Sequence, residues 1–409
     1  MECKTLSDIC LRICSGGTPK RSCREYYDGG TIPWLNTAEV NFNRIRSTAS
    51  HITEQGLDNS SARWVPKDTV IVAMYGATAG RVAIAGIPLT TNQACCNLVI
   101  DCALADPKYV YYWLKNKYCE IAGLANGGAQ QNLGVSVLKE VEIVLPTLSV
   151  QHAVADYLAV LDEKIELNSR INDHLGELLS IEFDRLLRGA TQRKLLIDVM
   201  DVLSGGTPKT SNPEYWVGGN IPLFSPRDAT ESPYVLETEK SITEEGLNNC
   251  NSALYPANTV FLTARGTVGK IVLAGKPMAM NQSCFALHGR TIPQSVVYQA
   301  IRNTISALKL KANGATFAAI NTRDLRSETL ILPTPEDVDW YDSFAKPIWA
   351  SILANESECC RLRETRDALL PKLMSGEVDV SRIDLKQLNG HLGAPTSLLA
   401  YSVALILYR

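Results

Sequence analysis

Apolar and polar positions divide the 409 residues into two kinds of segment that alternate along the chain. In residues 1–146 and 189–334 short apolar runs stand between clusters of Gly, Pro, Asn and Thr. The runs 69–74 and 259–263 predict buried strands. Residues 82–85 and 271–274 predict a second strand in each segment, and 107–118 and 294–309 predict helices. Residues 149–188 differ: they contain no proline and one glycine, Gly176. Apolar residues there fall at Val154, Leu158, Leu161, Ile165, Leu175, Leu179 and Leu186, close to heptad spacing, with Asn168 and Asn172 in the same seam. A second such stretch, about 337–374, places Ile348, Ile352, Cys359, Leu362, Leu369 and Leu373 on one stripe, with Asn355 between. Gly189 and Gly376 are the expected helix stops. A helix of ~38 residues is ~57 Å long at 1.5 Å per residue. A stripe of that length needs a partner. The economical arrangement is two coiled-coil-like helices packed antiparallel. The fold class is then α+β: two mixed α/β domains separated by the helices, with pseudo-twofold symmetry. The competing arrangement packs each helix on its own domain.

The two mixed segments are copies. Ser15-Gly16-Gly17-Thr18-Pro19-Lys20 returns 189 residues later as Ser204-Gly205-Gly206-Thr207-Pro208-Lys209. Tyr26-Tyr27, Gly29-Gly30 and Ile32-Pro33 return as Tyr215-Trp216, Gly218-Gly219 and Ile221-Pro222. Ile52-Thr53-Glu54 returns as Ile242-Thr243-Glu244, Asn92-Gln93-Ala94-Cys95 as Asn281-Gln282-Ser283-Cys284, and Leu145-Pro146-Thr147 as Leu332-Pro333-Thr334. A period this long is a domain plus a connector, not a solenoid unit. It suggests two similar sites at a fixed spacing.

Charge sharpens the division. The net charge of −3 is the sum of +1 over 1–146, −4 over 147–188, +3 over 189–334, −4 over 335–378 and +1 over 379–409. The acidic excess sits in the connectors, and the mildly basic domains permit a polyanion partner. Twelve cysteines and five histidines offer no Cys-x-x-Cys pair and no local zinc set, so reduced thiols and a cytoplasmic setting are expected. No signal peptide is read at the start, and the apolar stretch 397–408 is too short to span a bilayer, so no membrane role is expected.

Catalytic motifs fail. Asn212-Pro213-Glu214-Tyr215 imitates an amino-methyltransferase motif but lacks a glycine-rich cofactor loop, and reads as a turn. Gly266-Thr267-Val268-Gly269-Lys270 has its glycines too close for a phosphate loop, and Ile271 stands where Ser or Thr is needed. Recognition remains. The first copy gathers Lys20, Arg21, Arg24, Tyr27 and Asn36 near its repeated loops, and adds Arg63, Tyr75, Arg81, Asn92 and Gln93. The second has Lys209, Trp216, Arg227, Arg265, Lys270, Asn281 and Gln282. Arg and Lys suit guanine edges and phosphates, while Asn and Gln suit adenine. A repeated motif is better read as scaffold. Residues that differ between copies are better base readers: Asn36 against Ser225, Glu39 against Asp228, Tyr75 against Arg265. Arg44 and Arg46 have no basic counterparts.

Together the paired Ser-Gly-Gly-Thr-Pro-Lys loops, the Tyr-aromatic continuation, the Asn-Gln-x-Cys segments and Gly127 through Gln130-Gln131-Asn132 before a long helix resemble the specificity subunit of type I restriction–modification systems. The likeness covers nearly all of 1–378. It implies target-recognition domains at 1–148 and 189–335 and spacer helices at 149–188 and 336–376; the tail, 377–409, does not match the family pattern and its role is unknown. It implies double-stranded DNA as ligand, each domain reading half of a split site, with Gln130, Gln131 and Thr316 among the contacts. The second pre-helix loop, Asn313-Gly314-Ala315-Thr316-Phe317, lacks the Gln-Gln-Asn of the first. The likeness also implies two methyltransferase subunits docked on the helices, and motor–nuclease subunits in the assembled complex. S-adenosylmethionine, ATP and Mg would reside on those partners, with no cofactor, metal or catalysis here. A two-headed binder of another ligand, such as a glycan, is the alternative.

Overall fold

A computed structural model of the chain describes residues 2–124, 133–312 and 319–380, with backbone only at 311 and 312. Two compact units emerge: one comprises the chain up to Lys164 and from Leu362 onward, the other Ile165–Arg361.

The first unit holds strands β1 (Glu2–Thr5), β2 (Cys10–Ser15), β3 (Ile32–Leu35), β4 (Arg44–Ile45), β5 (Ser50–Ile52), β6 (Val70–Ala73), β7 (Val82–Ala85), β8 (Thr90–Thr91), β9 (Cys95–Ile100) and β10 (Glu142–Leu145). Its helices are α1 (Glu54–Asp58), α2 (Pro107–Asn116), α3 (Tyr118–Leu124), α4 (Val135–Lys139) and the start of α5 (Leu148–Leu186). A five-stranded sheet has the order β2-β9-β6-β7-β4, a three-stranded sheet β5-β3-β8, and β1 pairs β10. Every residue of β6 and β7 is buried, so this sheet is covered on both faces. Strand alternation sends Ile71, Ala73, Ala83 and Ala85 into one core with Leu35 and Val40. Helix α2 packs against β6 and β7. It starts at Pro107 because Asp106 caps it, accepting from the Tyr109 amide at 2.8 Å. The helix expected over 107–118 stops two residues early, at Asn116, and a new one begins at Tyr118.

The second unit repeats this order. Its elements are β11 (Gln192–Leu195), α6 (Leu196–Val199), β12 (Met200–Ser204), β13 (Ile221–Phe224), β14 (Tyr234–Val235), β15 (Ser241–Ile242), α7 (Glu244–Asn248), β16 (Val260–Thr263), β17 (Ile271–Ala274), β18 (Ala279–Met280), β19 (Cys284–Gly289), α8 (Gln294–Ala312), α9 (Thr322–Arg326), β20 (Thr329–Leu332) and α10 (Pro335–Ser375). The sheets run β12-β19-β16-β17-β14, β15-β13-β18 and β11-β20, the order of the first unit. Register is kept as well: Val70 faces Leu98 in one copy, and Val260 faces Leu287 in the other. Phe261, Val272 and Ala274 face a core with Phe224 and Met280. Val260, Leu262, Leu273 and Leu287 face another, which includes Leu179 and Phe183 of α5 and Tyr341, Trp349 and Ile352 of α10.

Both long helices therefore contribute to each unit. In the second unit Asn168 donates to Glu358 at 2.6 Å, Asn172 to Glu356 at 3.0 Å, and the Tyr341 hydroxyl to the Leu179 carbonyl at 3.0 Å. Rising numbers on α5 meet falling numbers on α10, so the pair is antiparallel there. In the first unit Leu158 and Leu161 of α5 are buried, as are Leu362 and Leu369 of α10, and Arg366 reaches Asp162 at 2.6 Å. Ile165, Leu179, Ile352 and Cys359 are also buried, while Leu175 and Ile348 are partly exposed and sit at the edge of the second unit's core. Gly189 and Gly376 end the helices at φ +85° and +77°, a conformation that suits glycine after a helix terminus.

Candidate nucleic-acid interface

The repeated loops are built as scaffold. A Cβ on Gly17 would lie 2.1 Å from the Ala62 nitrogen, and one on Gly206 would lie 2.6 Å from the Asn251 nitrogen. Gly17 donates to the Thr91 carbonyl at 2.8 Å and Gly206 to the Met280 carbonyl at 2.9 Å. The Thr18 hydroxyl donates to Gln93 and the Thr207 hydroxyl to Gln282. Trp34 Nε1 donates to the Gly17 carbonyl at 2.9 Å, and the Tyr27 hydroxyl to the Pro19 carbonyl at 2.6 Å.

The Asn-Gln turn is the hub. Asn92 donates its amide to the Leu35 carbonyl at 3.0 Å, Gln93 receives Thr18, and the Ala94 carbonyl receives the Met74 amide at 2.8 Å. One turn thus holds the glycine loop, the end of β3 and the end of β6. The second copy does the same: Asn281 donates to the Phe224 carbonyl at 2.9 Å, and the Ser283 carbonyl receives the Ala264 amide at 2.8 Å. The same strand end is bonded once more in both copies, by Leu133 to Met74 and by Ile320 to Ala264, each at 3.0 Å. Gln130, Gln131 and Thr316 precede these anchors and lie outside the described residues.

The candidate side chains separate by their partners. Arg44 pairs with Asp68 at 3.1 Å. Arg63 donates to the carbonyls of Ser60 and Ala62, at 2.9 and 2.7 Å, and Arg81 to Asn41 at 3.0 Å. Lys270 pairs with Glu231 at 2.7 Å. Asn36 and Glu39 form a capping box, Glu39 also receiving the Ala49 amide at 2.8 Å. Their counterparts repeat the brace: the Ser225 amide and hydroxyl donate to Asp228 at 2.8 and 2.7 Å, and Asp228 receives the Glu239 amide at 2.7 Å. Positions that differ between copies here preserve one local structure with different residues. Trp216 donates to the Lys209 carbonyl at 3.2 Å. Lys20, Arg21, Arg24, Lys209 and Arg265 are exposed and their side chains form no hydrogen bond or ion pair among the described residues. Arg227 is exposed with a loose 3.8 Å contact to Glu239, and Arg46 and Tyr75 are exposed. Lys20, Arg21, Arg24 and Lys209 stand on the loop after the glycine pair, Arg265 just past β16, Arg227 after β13 and Arg46 after β4.

The sequence model of the type I restriction modification DNA specificity domain matches residues 1–177 and 192–353, most of the chain. The chain belongs to the type I restriction–modification specificity family. Similar to it is the MjaIX specificity subunit of Methanocaldococcus jannaschii, 26% identical over 93% of this chain and 94% of that one. The EcoR124I/EcoR124II specificity subunit of Escherichia coli is 27% identical over 55% of this chain and 59% of that one. The crystal structure of the Mycoplasma genitalium S subunit covers 91% of this chain and 95% of its own at a TM-score of 0.59 and 19% identity, and it shares the fold. As a member of the family the specificity subunit is a non-catalytic component. No described helix is long and apolar enough to cross a membrane. Among the described residues no group of His, Cys, Asp and Glu is placed to hold a metal ion.

The buried acids Glu356 and Glu358 escape a reading of the sequence, because charges in an apolar seam argue against burial. Their signal lies in the facing amides, Asn168 and Asn172.

Proposed function

We propose that the specificity subunit reads a bipartite double-stranded DNA site, one repeated domain per half-site, and that methyltransferase subunits dock on α5 and α10. The observation that carries the DNA reading is the set of exposed cations on matching loops, Lys20, Arg21 and Arg24 in one copy and Lys209 in the other. Each set hangs on the same hydrogen-bonded turn, which keeps it rigid while leaving its charges to phosphates or guanine edges. Arg265 and Tyr75, at the same strand end in the two copies, make each half-site different. Leu167, Ile171, Leu178 and Ile181, an exposed apolar stripe on α5, support docking of a helical partner. In that reading S-adenosylmethionine, ATP and Mg belong to the methyltransferase and motor–nuclease partners, and the complex works in the cytoplasm.

The test is methylome sequencing of cells expressing this chain with its methyltransferase subunit, against cells lacking only this chain. A split adenine-methylated motif dependent on the chain supports the proposal. Its absence, with both proteins associated, refutes it. Binding that ignores salt would favour a glycan ligand instead, because phosphate contacts release counterions.

A further inference from the structure

The two copies differ in chemistry at one place beside the long helices. In the first unit Arg44 on β4 pairs with Asp68, whose φ is +65°. In the second, Tyr234 takes the place of Arg44, and its hydroxyl donates at 2.8 Å to Asn258, whose φ is +67°. Asp162 follows Thr147 by the same fifteen residues that separate Trp349 from Thr334. In the first unit Asp162 receives Arg366 and the Tyr112 hydroxyl, at 2.6 and 2.8 Å. Arg44, Arg366 and Asp162 all act electrostatically on Tyr111. Two guanidinium groups of the first unit's own thus lie near Tyr111.

The second unit has neither of these. It leaves a cavity of about 340 Å³, the size of a small-ligand site. Tyr234, Tyr298 and Trp349 line it, with ring centroids 5.9 Å apart for Tyr234–Trp349 and 4.9 Å for Tyr298–Trp349. Trp349 is 7% exposed. Arg302 of this unit acts on Tyr298 from outside the lining and is held by Asp184 at 2.9 Å. Asp342 lies on the wall, held by the Ser295 hydroxyl at 2.7 Å. Among the described residues its ion-pair partner is Lys346 at 2.7 Å, whose side chain is 73% exposed. Asp342 is 15% exposed, but its ammonium partner stands in water and can leave at modest cost. Aromatic faces with a carboxylate are the environment that holds a cation out of water.

We infer that this cavity binds a guanidinium cation supplied from outside the chain, seated on Trp349 and Tyr298 and paired with Asp342. The cation is either free or the end of an arginine side chain. Binding to the full chain would be followed calorimetrically with agmatine, with N-acetyl-L-arginine methylamide, and with N-acetyl-L-citrulline methylamide as the uncharged isostere. Saturable one-site binding is expected for the arginine probe, at least about tenfold tighter than for the citrulline probe. Binding of agmatine as well points to a free cation, and binding of the arginine probe alone points to a side chain. Asp342→Asn should weaken binding about tenfold. Lys346→Ala, which removes the competing ammonium from an exposed position, should tighten it about threefold. The inference is overturned by equal binding of the citrulline probe, by an Asp342→Asn protein that folds and binds as the parent does, or by no saturable binding even in Lys346→Ala.

Discussion

Replacing Asp162 by alanine should destabilise the first unit by about 3 kcal/mol, the low end of the cost of breaking a buried ion pair. The carboxylate accepts from Arg366 at 2.6 Å and from the Tyr112 hydroxyl at 2.8 Å. The two charged side chains are 27% and 13% exposed, so water recovers only part of the loss. Arg366 keeps Asp367 at 2.8 Å, but that acid is 58% exposed and compensates weakly. A loss of this size lowers the midpoint by roughly 6–12 °C in a unit of 150–250 residues. Two units need not unfold in one step, so the measurement is urea unfolding followed at several probes. The double-mutant cycle of Asp162→Ala with Arg366→Ala should return a coupling of about 2 kcal/mol. Asp162→Asn, which keeps an acceptor for Tyr112, should cost about half as much as alanine. A cost below about 0.5 kcal/mol for Asp162→Ala, or no coupling with Arg366, would refute the claim that this pair ties α5 to α10.

Gly17→Ala, with its Cβ 2.1 Å from backbone, should cost about 3 kcal/mol or more. Gly176→Ala, in a helix with nothing within 4 Å, should instead gain about 0.5–1 kcal/mol by denaturant titration. Lys20→Ala and Arg21→Ala should each weaken DNA binding and lower the slope of log affinity against log salt by about 1; unchanged slopes would remove them from the phosphate contacts. Burial holds the Lys115 ammonium below its usual 10.5, and its Nζ has no partner among the described residues. The folded chain then binds fewer protons than the unfolded chain between the lowered value and 10.5, so this group's contribution to stability rises with pH across that window. Lys115→Met should raise the midpoint by ~2–4 °C at neutral pH, and the gain should shrink as pH approaches 10.5.

The mixed α/β class and the long helices were legible because heptad spacing and short apolar runs between turn residues are local and strong signals. Helix α10 shows where that reading thins. It runs through Pro347 and Pro371, each of which removes an amide from the helix ladder. Tyr341, Ala345, Trp349 and Ile352 bury one face around Pro347, and that packing outweighs the local preference. Asn36 and Glu39 were legible as chemistry but not as use, since the amide that suits adenine also suits a cap. Arg44, Arg63 and Lys270 likewise carry the right charge, and only the fold reveals that their donors are spent on Asp68, on backbone carbonyls and on Glu231. What a sequence cannot state is which neighbour reaches a group first.

The Asn-Gln turn has a consequence for how such a protein can change. Three backbone segments are joined through one turn, and Lys20, Arg21 and Arg24 nearby form no hydrogen bond or ion pair among the described residues. Lys20, Arg21 and Arg24 can be exchanged one at a time while Gly17, Thr18 and Gln93 stay fixed. New preferences then arise by single steps on a constant frame, and the two copies drift separately, since each closes its own turn.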